Sequence, residues 1–126
     1  MTSRPTGVAP PEQAALDDGT TLDLILLSRE ICRRYREEFP DEEERYGEAG
    51  MEWCRHDNRY ILSWACLALR GYEDFNARIE WLAGVLKARD FPLDRLARDL
   101  EIAGDVAPDV AEVLRQGAER VRSLSA

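Results

Sequence analysis

Four chain breakers constrain the fold more than any other feature. Pro40, Gly71, Pro92 and Pro108 punctuate the stretch from residue 20 onward, and between them apolar side chains return every third or fourth position. That spacing follows the 3.6-residue period of an α-helix, so each segment can lay one stripe on a shared core. The first segment begins near Thr20, where Thr20-Thr21-Leu22-Asp23 has the form of a capping box. It carries Ile25, Ser28, Ile31, Cys32, Tyr35 and Phe39 on one face and stops at Pro40, which pushes its predecessor out of helical backbone. Residues 40–50, PDEEERYGEAG, are acidic and broken by two glycines, and read as a loop or a single helical turn. A long helix follows to about Gly71, a C-cap residue. The next spans about Glu73 to Arg89, with Phe75, Ile79, Leu82, Val85 and Leu86 at helical spacing. Pro92 opens a short helix carrying Leu93, Leu96, Ala97 and Leu100. Pro108 opens the last, which aligns Val110, Val113, Leu114, Gly117, Val121 and Leu124. The expectation is an all-α bundle of about five main helices joined by short loops.

Composition agrees. Ala, Leu, Glu and Arg dominate, and the Val-Ile-Thr alternation that marks strands is missing. At 126 residues the chain has the length of one domain that needs no metal or disulfide staple. Residues 1–19 hold three of the six prolines among small polar residues and read as a flexible N-terminal tail ahead of a helical domain over 20–126. A net charge of -8 argues against nucleic acid as partner, since phosphate neutralisation needs a basic surface. Cys32, Cys54 and Cys66 form no C-x-x-C pair. On one helix Cys54 and Cys66 would stand roughly 18 Å apart, too far to bridge. A reducing compartment is expected. No apolar run approaches the roughly 18 residues of a membrane span, and residues 1–19 lack a signal-peptide apolar core. The reading is a cytoplasmic protein without a membrane partner.

The segment GMEWCRHDNRYILSWACLALRG, residues 50–71, raises the functional question. With each residue turning by about 100°, Cys54, Asp57, Ile61, Trp64, Ala65 and Ala68 share one arc. Arg55, Arg59, Ser63 and Arg70 gather opposite, and His56 falls at the edge. Asp57 therefore lies inside the apolar stripe, where an ionised carboxylate costs several kcal/mol unless it is paired. Arg78, intruding on the apolar arc of the next helix, offers a plain interhelical ion pair. Cys54, one turn from Asp57 on the same face, is by itself a small buried hydrophobe. A single histidine cannot build a histidine-rich metal site, and no cysteine pair has zinc-finger spacing, so no metal is expected. Cys54 and His56 point about 200° apart on a helix and cannot form a nucleophile-base pair. No other histidine exists and no acid-base pair stands out, so the chain reads as a non-enzyme. Trp53, Trp64, Trp81, Tyr60 and Phe75 suit a core, and also the wall of a slot for a flat aromatic ligand.

The order of residues resembles a family. Phe39-Pro40, Gly50-x-x-x-Cys54-x-x-Asp57-x-x-Tyr60-x-Leu62, Leu69-x-Gly71 and Leu82-x-Gly84 together resemble the phycobiliproteins and their globin-like relatives, over residues 20–124 and most sharply 39–92. The resemblance implies a globin-like helical bundle and a bilin-binding face. Cys54 would be the attachment or contact thiol and Asp57 the acceptor for pyrrole N–H groups. Tyr60 would pack nearby, and Arg55 or another exposed arginine could meet a propionate as a charge partner. The sequence departs from the family in two places. His56 stands where the family's Cys-x-Arg-Asp motif has arginine, and it supplies a nitrogen suited to haem iron. The short lead-in also implies that the N-terminal helical hairpin and first globin helix of the family are lacking.

Two readings follow. The first is a non-catalytic tetrapyrrole carrier or sensor outside the light-harvesting antenna, holding a bilin, covalently through Cys54 or not, or a haem. Its contacts would be Cys54, Asp57, His56, Arg55, Tyr60 and Trp64. The second is a cofactor-free globin-like module, similar to those of bacterial stress signalling, whose function is partner docking. Under either, a missing globin helix leaves apolar surface for a second copy, and a homodimer is expected.

Overall fold

A computed structural model describes residues 4, 5 and 7–125 of the chain. It is all-α, 74% helical, with five helices and one small sheet among the described residues. The elements are strands β1 (Gln13–Ala15) and β2 (Thr21–Asp23), then helices α1 (Leu24–Glu38), α2 (Asp41–Leu69), α3 (Phe75–Ala88), α4 (Leu93–Val106) and α5 (Ala111–Ser125). A 3₁₀ turn, Pro108–Val110, leads into α5.

The breakers act where expected. Phe39 caps α1 ahead of Pro40. Gly71, at φ +83, ends α2 in a left-handed turn. There Gly71 N–H donates to Ala68 O and Tyr72 N–H to Leu67 O, at 3.0 and 2.8 Å, the paired closure that satisfies the last helical carbonyls. Pro92 and Pro108 stand at the starts of α4 and of the turn into α5. α4 is not short: it runs 14 residues and buries Ile102 and Ala103 beyond Leu100. The core joins Leu24, Ile31, Ile61, Leu62, Ile79, Leu100, Leu114 and Val121 from all five helices.

Two segments differ from expectation. Thr20–Asp23 does not open a helix. Gln13–Ala15 pairs antiparallel with Thr21–Asp23, and Asp18 accepts from both the backbone and the hydroxyl of Thr20 across the turn. Leu16, inside the stretch read as a tail, is buried, and Asp23 caps α1 by accepting from Ile25 and Leu26 N–H. Upstream, Val8 O accepts from Tyr60 Oη at 3.1 Å and Pro11 O from Arg59 Nε at 3.1 Å, so this stretch lies along α2. Residues 40–50, read as a loop, are largely helical. Asp41 to Glu44 place four acids at the positive end of the α2 dipole, and the helix breaks at Gly47 (φ 64, ψ -155) before continuing. That kink turns the first turns of α2 across α1, and Glu42 becomes buried.

Candidate ligand cavity

α1, α2 and α4 enclose a cavity of about 210 Å³ that the end of α3 and the following loop complete. Its walls are aromatic and aliphatic, with Tyr35, Tyr46, Trp53 and Phe91 beside Ile61, Leu82, Leu86 and Leu96. Six charged or polar groups interrupt them: Arg36, Glu42, Asp57, Asn58, Arg89 and Asp99.

Glu42 is fully answered. Tyr35 Oη donates to its Oε1 at 2.9 Å and Arg95 Nη1 to its Oε2 at 3.1 Å, while Arg95 Nη2 also reaches Asp41. The Arg95 guanidinium lies 4.5 Å over the Phe39 ring, so one cation holds the kinked start of α2 against α1 and α4.

The other acids are less well supplied. Asp57 is one-quarter exposed, with the His56 Nδ1 ring atom 3.1 Å from its Oδ1. Burial raises its carboxyl above the ordinary aspartate value, opposed by the His56 contact and the Arg89 charge. Asp99, 6% exposed, is pushed up to about 7 by burial, against the hydrogen bond from Asn58. Asn58 is 2% exposed. Its Nδ2 donates to Cys54 O at 2.9 Å and to Asp99 Oδ1 at 3.1 Å, with Cys54 Sγ at 3.5 Å and Cys32 Sγ at 3.7 Å. Its Oδ1 is buried with no hydrogen-bond partner among the described residues. A stranded acceptor of this kind costs about 1–3 kcal/mol. The Cys54 thiol, hydrogen-bonded to Cys32 and partly buried, is held well above the usual thiol range, so it stays protonated and weakly nucleophilic at neutral pH.

Of the six residues expected at the site, Cys54 and Asp57 line the cavity. His56 touches Asp57 but belongs to an outer aromatic ladder, in which it stacks edge-on with Trp53 at 5.1 Å and Tyr60 at 5.2 Å. Tyr60 and Trp64 continue that ladder at 5.9 Å, and Arg55 is exposed; none of these three lines the cavity. Arg78 does not reach Asp57. It pairs with Glu73 at 3.0 Å and covers the Trp64 ring. The arginines on the cavity wall are Arg36 and Arg89, the latter exposed and stacked 5.3 Å over Trp53. Among the described residues no group of three histidine, cysteine or acidic side chains is placed to hold a metal ion. No helix among them is long and apolar enough to cross a membrane.

Sequence patterning alone does not single out Asn58, Asp99, Glu42, Arg36 or Arg89. For Asp99 a signal exists: an acid about 60° from Leu96 and about 100° from Leu100 on a helical projection borders the stripe, as Asn58 does on α2. Comparison with protein-family models, curated proteins and solved structures found no match.

Proposed function

We propose that the protein is a non-catalytic carrier or sensor that holds a tetrapyrrole in this cavity, related in plan to the phycobiliproteins. The observation that carries the reading is Asp57, a partly buried carboxyl on a largely aromatic and aliphatic cavity wall that also holds Arg36 and Arg89. A tetrapyrrole offers complementary chemistry: a flat apolar body, N–H donors along one edge, and carboxylate tails for the two arginines. The volume, about 210 Å³, lies below the roughly 300–1,000 Å³ common for sites that enclose a ligand. The cavity therefore takes part of the ligand, and the rest lies across the Arg89 side. A protonated Cys54 favours non-covalent retention. The position of His56 in the outer ladder favours a bilin over a haem that needs an axial nitrogen.

The test is visible absorption during titration with biliverdin and, separately, haemin, followed by acid-urea denaturation and zinc fluorescence of the gel band. A saturable, shifted biliverdin band that is lost in Asp57→Ala and leaves no fluorescent gel band is the expected result. No shift with either pigment refutes the reading. The second reading, a cofactor-free docking module working as a homodimer, draws on exposed Leu26, Tyr72 and Trp81, at 60%, 71% and 61%. Sedimentation of the ligand-free protein as a dimer, with no pigment bound, would select it.

A further inference from the structure

α3 buries one face and leaves the opposite one bare. Phe75, Ile79, Leu82 and Ala83 turn inward, while Ala77, Trp81, Gly84 and Ala88 are exposed. Those four recur at steps of four, three and four residues, the spacing of a coiled-coil seam, so they form one strip along the helix. Trp81, 61% exposed, is the bulkiest apolar side chain left in solvent among the described residues. One turn on, Gly84 has nothing within 4 Å of the place where a Cβ would stand. A bulky knob thus sits beside an open hole, and the two alanines let a second backbone come close.

The strip is complementary to itself. When a second copy of α3 is turned end over end about a two-fold axis midway between Trp81 and Gly84, each Trp81 lies over the other copy's Gly84 and each Ala77 meets an Ala88. The same axis pairs the charges. Glu80 and Lys87 stand one heptad apart on one flank of the strip, so each meets its opposite in the other copy. Lys87 is exposed with no ion pair among the described residues, and Glu80 shares an exposed contact with Arg120 of α5. A parallel copy would instead stack Trp81 on Trp81 and leave both Gly84 holes empty.

We propose that α3 is the surface at which two copies of this chain associate, antiparallel about a two-fold axis, with Trp81 of each seated over Gly84 of the other. None of the four strip residues lines the cavity, so the interface stands apart from the ligand reading above. A contact along one 14-residue helix, roughly 21 Å long and about 10 Å wide, falls below the roughly 1,200–2,000 Å² buried in stable complexes. The association is therefore weak and reversible.

The experiment is sedimentation equilibrium of the full chain from about 1 μM to about 1 mM, a range that spans weak association. A reversible monomer–dimer equilibrium is expected, and Trp81→Ala and Gly84→Gln should each weaken it by about tenfold or more. Both positions are exposed, and glutamine is a better helix former than glycine, so circular dichroism should show the fold kept. Leu26→Ala, at an exposed apolar side chain of α1, should leave the equilibrium within about twofold. Glu80→Lys and Lys87→Glu each set like charges together and should weaken self-association by about threefold or more. A mixture of those two variants should dimerise again, because each chain supplies the charge the other meets. A chain that stays monomeric across the range overturns the proposal. So does a dimer that Trp81→Ala and Gly84→Gln leave unchanged, or one that Leu26→Ala weakens as much. Should Trp81→Ala or Gly84→Gln fail to fold, the charge variants decide, and no recovery on mixing overturns the interface.

Discussion

Asp99→Asn should remove a fall in stability that the wild type suffers as pH rises. Burial first, then the charges of Asp57 and Glu42, lifts the Asp99 carboxyl from an ordinary 3.8 to about 7, with the Asn58 hydrogen bond opposing. Between those values the unfolded chain has released the proton while the folded one keeps it. The folded state then binds more protons, so the free energy of unfolding decreases with pH, by at most about 1.36 kcal/mol per pH unit. The loss is absent below the unfolded value and complete once pH passes the folded one. Over the window of about three pH units it reaches on the order of 4 kcal/mol, a large share of the roughly 5–15 kcal/mol that holds a domain together.

The groups facing Asp99 make the assignment testable. Asn58 and Asp57 approach from α2, with Cys54 beside them. Cys32 comes from α1, and Glu42 stands under Tyr35 and Arg95. Asp57 is raised as well and pushes stability the same way, but it is present in both proteins and largely cancels in the difference. Asparagine at 99 still offers an oxygen to Asn58 Nδ2. Urea unfolding at about pH 5, 6, 7 and 8 should show the variant gaining on the wild type by about 2–3 kcal/mol from the lowest to the highest pH, since part of the loss has already occurred by pH 5. A difference that stays flat would mean that Asp99 is ionised throughout and already satisfied, and the reasoning about this cluster would fail.

Two further predictions concern the frame around the cavity. Arg95→Gln removes a cationic donor from the buried Glu42 and should destabilise by about 3–5 kcal/mol. Tyr35→Phe, which leaves Arg95 in place, should cost about 1–3 kcal/mol; an Arg95 loss no greater than the roughly 0–1 kcal/mol expected for Arg98→Gln in an exposed pair would refute the anchoring role. Gly117 and Gly84 should respond with opposite sign. A Cβ at 117 would collide with the buried Phe75 ring, whose Cδ2 would stand at 3.1 Å, and Gly117→Ala should cost about 1–3 kcal/mol. Gly84 is exposed within α3 with nothing near its Cβ position, and Gly84→Ala should gain up to about 1 kcal/mol. Thermal midpoints that move together would contradict the α3–α5 packing.

The helices are legible in the sequence because their signals are local. Phe75, Ile79 and Leu82 recur at helical spacing and are buried, and Gly71 and three prolines fall where helices end or begin. Asp57 is legible for the same reason, as an acid inside an apolar arc. Glu42 cannot be found that way. Its burial depends on Arg95, 53 residues away, and on a bend at Gly47 that two glycines in an acidic stretch disguise as a loop. At the other end, Thr20-Thr21-Leu22-Asp23 has a capping-box outline, but the Asp18-Gly19 turn and the buried Leu16 make a hairpin the better local answer. Only Asp23 serves as the cap. The cavity arginines differ from the expected Arg55 because which arginine meets a cavity depends on how helices cross, and Arg89 and Arg36 come from the end of α3 and from α1.

The contrast between Glu42 and the Asp57–Asn58–Asp99 cluster is what separates support from site. Both are buried polar groups on the wall of one cavity, and burial without partners is costly in either place. Glu42 receives two donors, one of them cationic, and uses its acceptor capacity to hold three helices together. In the cluster, acceptors outnumber donors: His56 alone meets Asp57, one amide nitrogen serves Asp99 and Cys54 O together, and Asn58 Oδ1 meets no described donor. A fold selected for stability alone would fill that space with aliphatic side chains like Ile61 and Leu96 beside it. Keeping carboxyl groups there makes sense if their partners arrive with a ligand, whose binding then returns stability to the folded chain as its concentration rises over its dissociation constant.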